Sequence, residues 1–410
     1  MAAVATFRTA VHLTGRRVLL WSLLGRLPNA MCPIGSLLLV SHDSGSVWRG
    51  SAAAGTLAVA QAVAGPLVGR LADRRGQRPV GLAAAAVNAL AILALVAASR
   101  SGLPLWLQLV PAALIGLSVP LVGPLSRSRW VRLAGGDREA TGAAISLDGI
   151  MDEISFTAGP AVIGILAALA DPAAGLLLAA ALVGVCGTLF ARHPTAPPGT
   201  PAARRHGGAP LLTAPFALLL AGMALLGVCF GSVQVGVTAT AERLGHPGAA
   251  GLLYGLIGLT SSFAGVATAA LPAGFALAAR LKAATVLLLA ASLLLPGAAG
   301  MTGLAVGVGC LGVAVAPQMI TMFGLTERAV PTDRLGEAMA ALVSSITLAQ
   351  SAGTLLAGWL ADRSGAAAPF LVTCAAAGLA AVLALTTATE ARYRRRTGAG
   401  HRPLTRARAG

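Results

Sequence analysis

Three acidic residues inside one long apolar segment, Asp148, Asp152 and Glu153, have the clearest capacity for chemistry. Asp148 and Asp152 are four residues apart, so on a helix they share a face with Ser155 and Gly159, while Glu153 points about 100° away. A carboxylate in apolar surroundings is costly, and such residues commonly carry protons or bind ions. Loss of water favours the protonated acid, whereas water or a nearby cation favours the carboxylate. This pattern predicts a proton-carrying stripe.

Arg26 is the predicted partner of these acids, because it lies at a similar depth in the first apolar segment. We expect Asp152, near the middle of its segment, to be the first candidate for proton coupling, with Asp148 and Glu153 as alternatives. A purely architectural role remains open, since a buried ion pair between Arg26 and an aspartate would also fix two helices together.

Other polar residues also fall inside apolar segments. Each of them alone is more typical of a hydrogen bond between helices than of a ligand contact. The candidates for a substrate cavity among them are Asn29, Gln234, Gln318, Ser344 and Thr347.

The composition predicts the elements that position these residues. Hydrophobic residues occupy 56% of the 410 positions and charged residues only 11%. A soluble globular chain cannot bury so much apolar surface, so we expect a membrane protein with several spans. Crossing ~30 Å of hydrocarbon takes about 20 apolar residues as a helix, and unpaired backbone excludes open strands. The predicted fold class is therefore all-α.

Twelve apolar segments are separated by Gly, Pro or charged residues, and we number them spans 1 to 12. The first six are 18–40, 50–69, 79–98, 104–126, 141–169 and 172–191, and the second six are 211–236, 248–271, 283–300, 302–325, 337–361 and 367–388. The predicted domains are a six-helix bundle over 1–191, a Pro/Gly/Arg-rich cytoplasmic linker over 192–210, a second bundle over 211–390, and a basic cytoplasmic tail over 391–410.

The basic residues predict which end of each span faces the cytoplasm. With both termini inside, 25 of the 30 Lys and Arg residues fall on cytoplasmic segments, as the positive-inside rule requires. The net charge of +16 is thereby directed toward anionic lipid of the inner leaflet, and nucleic-acid binding is unnecessary to explain it. We therefore expect a multi-pass protein of the cytoplasmic membrane.

The two halves of the chain resemble each other at an offset near 195 residues. "RLAGGDREATGAA" (132–144) matches "RAVPTDRLGEAMA" (328–340), and "AGPAVIGILAALAD" (158–171) matches "AGTLLAGWLADRSG" (352–365). Two pseudo-symmetric six-helix bundles joined by a polar linker indicate duplication, an arrangement that is common among transporters.

The segment "GRLADRRGQR" (69–78) lies between spans 2 and 3, where Gly69 and Gly76 would permit close helix approach and a sharp turn. It resembles the signature loop of the major facilitator superfamily, and the twelve spans, the repeat and the linker fit that family across the chain. The resemblance implies a conformational latch formed by Gly69, Asp73, Arg74, Gly76 and Arg78, in which Asp73 meets the start of span 11 near 333–338. The equivalent segment after span 8 (271–282) has lost its acid, so the resemblance implies one latch.

Span 5 contains a partial match to the Gly-rich helix of exporters in this superfamily. "SFTAGPAVIG" keeps Gly159 and Pro160 of the G-P-x-x-G pattern, but the second glycine comes one place late, at Gly164. Span 4 is expected to lack the buried arginine of many proton-coupled members, since its arginines fall at its cytoplasmic end.

The resemblance implies a secondary active transporter that works by alternating access, with proton-coupled export of a small, fairly apolar molecule as the first hypothesis. Import of a nutrient or metabolite on the same fold is the alternative. A polytopic membrane enzyme is disfavoured, because no catalytic cluster or nucleotide-binding loop is present. The expected partners are a small-molecule substrate, protons and membrane lipid, for a monomer without cofactor or metal.

Overall fold

A computed structural model describes residues 15–135, 137–199, 211–269, 275–330 and 335–387. These residues form helices joined mostly by short turns, without β-strands. Each helix keeps below the number of the predicted span to which it corresponds.

The first six spans are Arg16–Ser44, Val47–Arg75, Gln77–Arg100, the pair Leu105–Leu117 and Val122–Leu133, Arg138–Leu169, and Pro172–Leu182 continued through a π-turn to Thr188–Arg192. The second six are Ala214–Arg243, Ala249–Ala269, Leu277–Ser292, Gly300–Ala329, Leu335–Ser364 and Ala368–Thr387. Eleven of the spans, within the described residues, are helices long and apolar enough to cross a membrane. Span 9, at 16 residues, is the shorter exception and lies about six residues earlier than predicted.

Span 4 is broken, and the break matters for the site. Pro120 lacks a backbone N–H and disfavours helix at the residue before it, so the helix stops at Leu117 and restarts at Val122. Asn88 of span 3 stabilises the break by donating to the Ile115 carbonyl at 2.7 Å. The second segment extends seven residues beyond the predicted end at 126, so arginines assigned to a loop belong to a helix.

The turn between spans 2 and 3 is also shorter than predicted. Most of "GRLADRRGQR" is helical, and the chain reverses at Gly76 alone, whose φ of +94° favours glycine. The first part of the predicted linker lies against this turn, because the Gln77 N–H donates to the Pro197 carbonyl at 3.2 Å. Gly69 makes no close helix approach, since a Cβ there would meet nothing within 4 Å.

The two sets of six spans meet along two seams, spans 2 with 11 and spans 5 with 8. We call the end that carries the turn between spans 1 and 2 the outer end, following the arginine distribution. In the first seam, Gly55 packs on Leu355 and Ser51 on Gly358, both toward the outer end. In the second, Gly164 packs on Gly251. These contacts bring the halves together at the outer end.

Candidate functional site

Spans 1, 4 and 5 bring together four charged side chains, Arg26, Arg127, Asp148 and Asp152, which we call the four-charge cluster. Arg26 donates to the carboxylates of both aspartates, at 2.8 Å to Asp152, and also to the Asp148 carbonyl at 3.0 Å. Arg127 likewise contacts both, with its Nε 2.7 Å from Asp148. Two positive and two negative charges therefore balance within one group of ion pairs.

Asp148 is the sealed member of this cluster. Its side chain is 0% exposed, and besides the two arginines it accepts from the Ser126 hydroxyl at 2.6 Å and from the Trp130 indole at 3.1 Å. A buried carboxylate with this many donors is held firmly as an anion. Asp148 therefore organises the cluster.

Asp152 is the accessible member. Its side chain is 27% exposed, and each of its two oxygens accepts from one arginine, Arg26 or Arg127. A Cβ added at Gly123 would lie 3.2 Å from the Asp152 carboxylate, so the glycine gives the acid its space. An acid that faces water on one side and two arginines on the other can exchange a proton without leaving its place.

Sequence reasoning placed Arg127 outside the site, among loop arginines, and the structure corrects this. The break at Pro120 redirects the second segment of span 4 so that Arg127 and Ser126 face spans 1 and 5. Arg127 is nonetheless 47% exposed, so it joins the cluster to the solvent side. The proline after Ser118 and Val119 was the available signal.

The prediction that span 4 lacks a buried arginine was wrong. Arg129 is 1% exposed, lies 3.7 Å over the Phe190 ring, and donates to the Phe190 carbonyl at 2.8 Å. It also donates to Gln77 at 2.7 Å, and Gln77 donates to Ser128 at 2.7 Å. The glutamine of the signature segment thus anchors the inner part of span 4.

Glu153 lies apart from the cluster, as its helical angle predicts. Its side chain is exposed, and it accepts from the Ser262 hydroxyl of span 8 at 2.6 Å, a contact between the two halves.

The two glycines of the span 5 motif face different neighbours. A Cβ at Gly159 would lie 2.9 Å from Ala30 of span 1, whereas one at Gly164 would lie 2.6 Å from the Gly248 carbonyl beside span 8. Five residues turn a helix by about 140°, so the late glycine necessarily addresses another helix. Gly251 contacts the Pro160 carbonyl in the same seam. The motif therefore forms part of the contact between the halves.

The five cavity candidates do not line one pocket. Asn29 lines a small cavity with Gln61, which donates to it at 2.9 Å. Gln234 and Gln318 are buried, and the amide nitrogen of each has no hydrogen-bond partner. Ser344 is half-buried.

Thr347 donates to the Val343 carbonyl of its own helix at 2.9 Å. The hydroxyl of this fifth candidate is thus satisfied locally.

The latch residues can be described only in part. Arg74 and Arg78 are exposed at the inner end. The side chain of Asp73, and residues 331–334 before span 11, lie outside the described residues. The predicted contact of Asp73 with the start of span 11 therefore stays a prediction.

Comparison with known families gives one match across most of the chain. The model of the Major Facilitator Superfamily matches residues 29–271 and 259–408. No curated protein has a significant sequence match to the chain.

Solved transporter structures share the fold. The human organic anion transporter MFSD10 (TETRAN) is similar with a TM-score of 0.62 at 20% identity, covering 92% of this chain and 99% of that one. The nucleoside transporter NupG gives 0.67 at 14% identity, covering 90% and 98%. A bacterial homologue of the iron transporter ferroportin, in an inward-facing state, gives 0.66 at 19% identity, covering 95% and 99%. Identities this low show the fold and leave the cargo undetermined.

Proposed function

The chain belongs to the Major Facilitator Superfamily, and we propose that it exports a small, fairly apolar molecule in exchange for protons. As a multi-pass membrane transporter of this type, it is not an enzyme. We place it as a monomer in the cytoplasmic membrane with both termini inside. Residues 1–191 and 211–390 act as the two moving halves, 192–210 as the cytoplasmic linker and 391–410 as the basic tail.

The two seams support alternating access. Contacts between spans 2 and 11 run from Gly55 and Leu355 toward the outer end, and those between spans 5 and 8 include Gly164 with Gly251. Both seams close the same end of the molecule. In the proposed cycle this is the inward-facing state, and export requires both seams to open outside while the inner ends close.

The four-charge cluster is the single observation that carries the coupling. Asp152 is accessible while Asp148 is sealed, so one acid can titrate while the other holds the arginines in place. Protonation of Asp152 would free one hydrogen-bonding group on each arginine and leave the cluster with a net positive charge. Because a ligand shifts a conformational equilibrium only by its differential affinity, this change is what links the proton to one state.

The charge balance of the cluster also supports a substrate of low polarity. Within the described residues, the four charges compensate one another, and at the small cavity Asn29 and Gln61 pair with each other. These groups present no net charge to a bound molecule.

The test is transport by the purified protein in liposomes. Candidate substrates come from a susceptibility screen in a strain that lacks its own pumps. We expect a proton gradient to drive substrate against its concentration, in the direction opposite to proton flow. Accumulation in the same direction as the protons would establish import instead, and a rate insensitive to the gradient would remove proton coupling.

A further inference from the structure

One acid joins the two halves at the outer end, far from the four-charge cluster. Asp362, near the end of span 11, accepts from the Ser46 hydroxyl at 2.6 Å and from the Trp48 backbone N–H at 3.2 Å. Ser46 is the N-cap of span 2 and itself accepts from the Arg49 N–H at 3.3 Å. A carboxylate from one half thus caps a helix that belongs to the other half.

This contact continues the seam between spans 2 and 11. Leu355 packs on Gly55, Gly358 on Ser51, and Asp362 reaches Trp48, so the contacts recur every three or four residues on both helices. Two antiparallel helices meet in this way along one face of each. The ion-to-helix contact is therefore the outermost rung of a continuous seam.

The sequence around Asp362 repeats the signature segment. "GWLADRSG" (358–365) and "GRLADRRG" (69–76) share the pattern G-x-L-A-D-R-x-G, with Asp362 in the position of Asp73. One copy ends span 2 and the other ends span 11. Because these two helices are antiparallel neighbours, the copies lie at opposite ends of the same seam.

We propose that Asp362 is a second latch, which holds the outer end of the transporter closed by capping the start of span 2. The proposal rests on the alternating-access function argued above. An acid at a helix N-terminus satisfies free N–H groups and interacts favourably with the helix dipole. Opening the outer end separates spans 2 and 11 there, so both hydrogen bonds of Asp362 exist only in the outer-closed state.

The pair of motifs gives the two latches reciprocal roles. Asp362 reaches from span 11 to the start of span 2, and Asp73 is expected to reach from span 2 to the start of span 11. Each acid would cap its partner helix in one state only. A single helix pair would then set the balance between both states.

The test measures the outer opening directly, in full-length protein whose five cysteines are replaced. Spin labels are attached at Ser101→Cys and Ala299→Cys, two exposed positions in outer turns of opposite halves. Distances are then compared between the parent, Asp362→Ala and Asp43→Ala. Asp43 is a matched control, an outer-end acid that accepts from Ser99 and Arg100 within one half.

We expect Asp362→Ala to raise the ratio of long to short distances about fivefold, the factor that loss of one helix cap supports. Asp43→Ala should leave the ratio unchanged. Should Asp362→Ala fail to fold, Ser46→Ala removes one of the two contacts and should give a smaller shift in the same direction. An unchanged ratio in a folded Asp362 variant, or an equal shift in Asp43→Ala, overturns the latch.

Because the distance measurement needs no substrate, it is independent of proton coupling and of export direction. A protein that shows a single distance under every condition would instead refute alternating access.

Discussion

Arg26 and Asp148 form an ion pair in which the side chains are only 4% and 0% exposed. Breaking a buried pair by removing one partner strands the other charge, which costs about 3–5 kcal/mol. The pair holds span 1 against span 5, and Arg127 extends the contact to span 4.

We therefore predict that Arg26→Ala strongly destabilises the protein. The measurement is thermal unfolding of the detergent-purified variant, with Arg100→Ala as control. Arg100 is 38% exposed and pairs with Asp43, so its loss should cost about 1 kcal/mol or less. Equal stabilities for the two variants would contradict a structural role for the buried pair.

Asp152→Asn should abolish uphill transport but retain substrate binding or downhill exchange. The amide keeps the size of the side chain yet cannot exchange a proton, so the gradient loses its link to the conformational change. A membrane potential supplies ~2.3 kcal/mol per charge per 100 mV, enough to bias a two-state carrier. Transport in liposomes with and without a pH gradient measures this.

Glu153→Gln is the control for that experiment, since Glu153 lies on the same helix but outside the cluster. If Asp152→Asn still concentrates substrate, Asp152 is structural, and a loss of coupling in Glu153→Gln would reassign the proton to that residue.

Asp73→Asn should leave expression near the parent level and cripple transport. A neutral amide lacks the charge that strengthens contact with the start of span 11, so the inner-closed state is lost. Transport is compared with Glu327→Gln, which changes another exposed acid at the inner end. Normal rates in a well-expressed Asp73→Asn protein would argue against the inner latch.

Gly164→Ala should weaken the outer-closed state, because the new Cβ would lie 2.6 Å from the Gly248 carbonyl. Gly149→Ala on the same helix is the matched control, since a Cβ there meets nothing within 4 Å. Alanine at that position should be neutral or stabilise the helix by up to about 1 kcal/mol. Spin-label distances across the outer end separate the two variants, and an equal response would show that the glycine seam is not tight.

The topology is tested by reporter fusions at Ala202 and after Gly410. Both should report a cytoplasmic location, because the arginine-rich segments on that side resist translocation. An external location at either position would overturn the assignment of inner and outer ends on which both latches depend.

The sequence by itself determined the class of the fold and the family. Spans follow from hydropathy, since each helix must satisfy its own backbone in lipid, and the segment at 69–78 identified the superfamily. The face shared by Asp148 and Asp152 followed from their spacing of four residues. These properties are local, so a linear pattern is enough to predict them.

Only the tertiary structure decided which partners meet. Arg127 reaches the aspartates because the break near Pro120 redirects the end of span 4, and Gly164 faces span 8 because of its angle on span 5. Asp362 caps span 2 across more than 300 residues of chain. Such contacts depend on the packing of separate helices, and no periodicity within either helix encodes the position of the other.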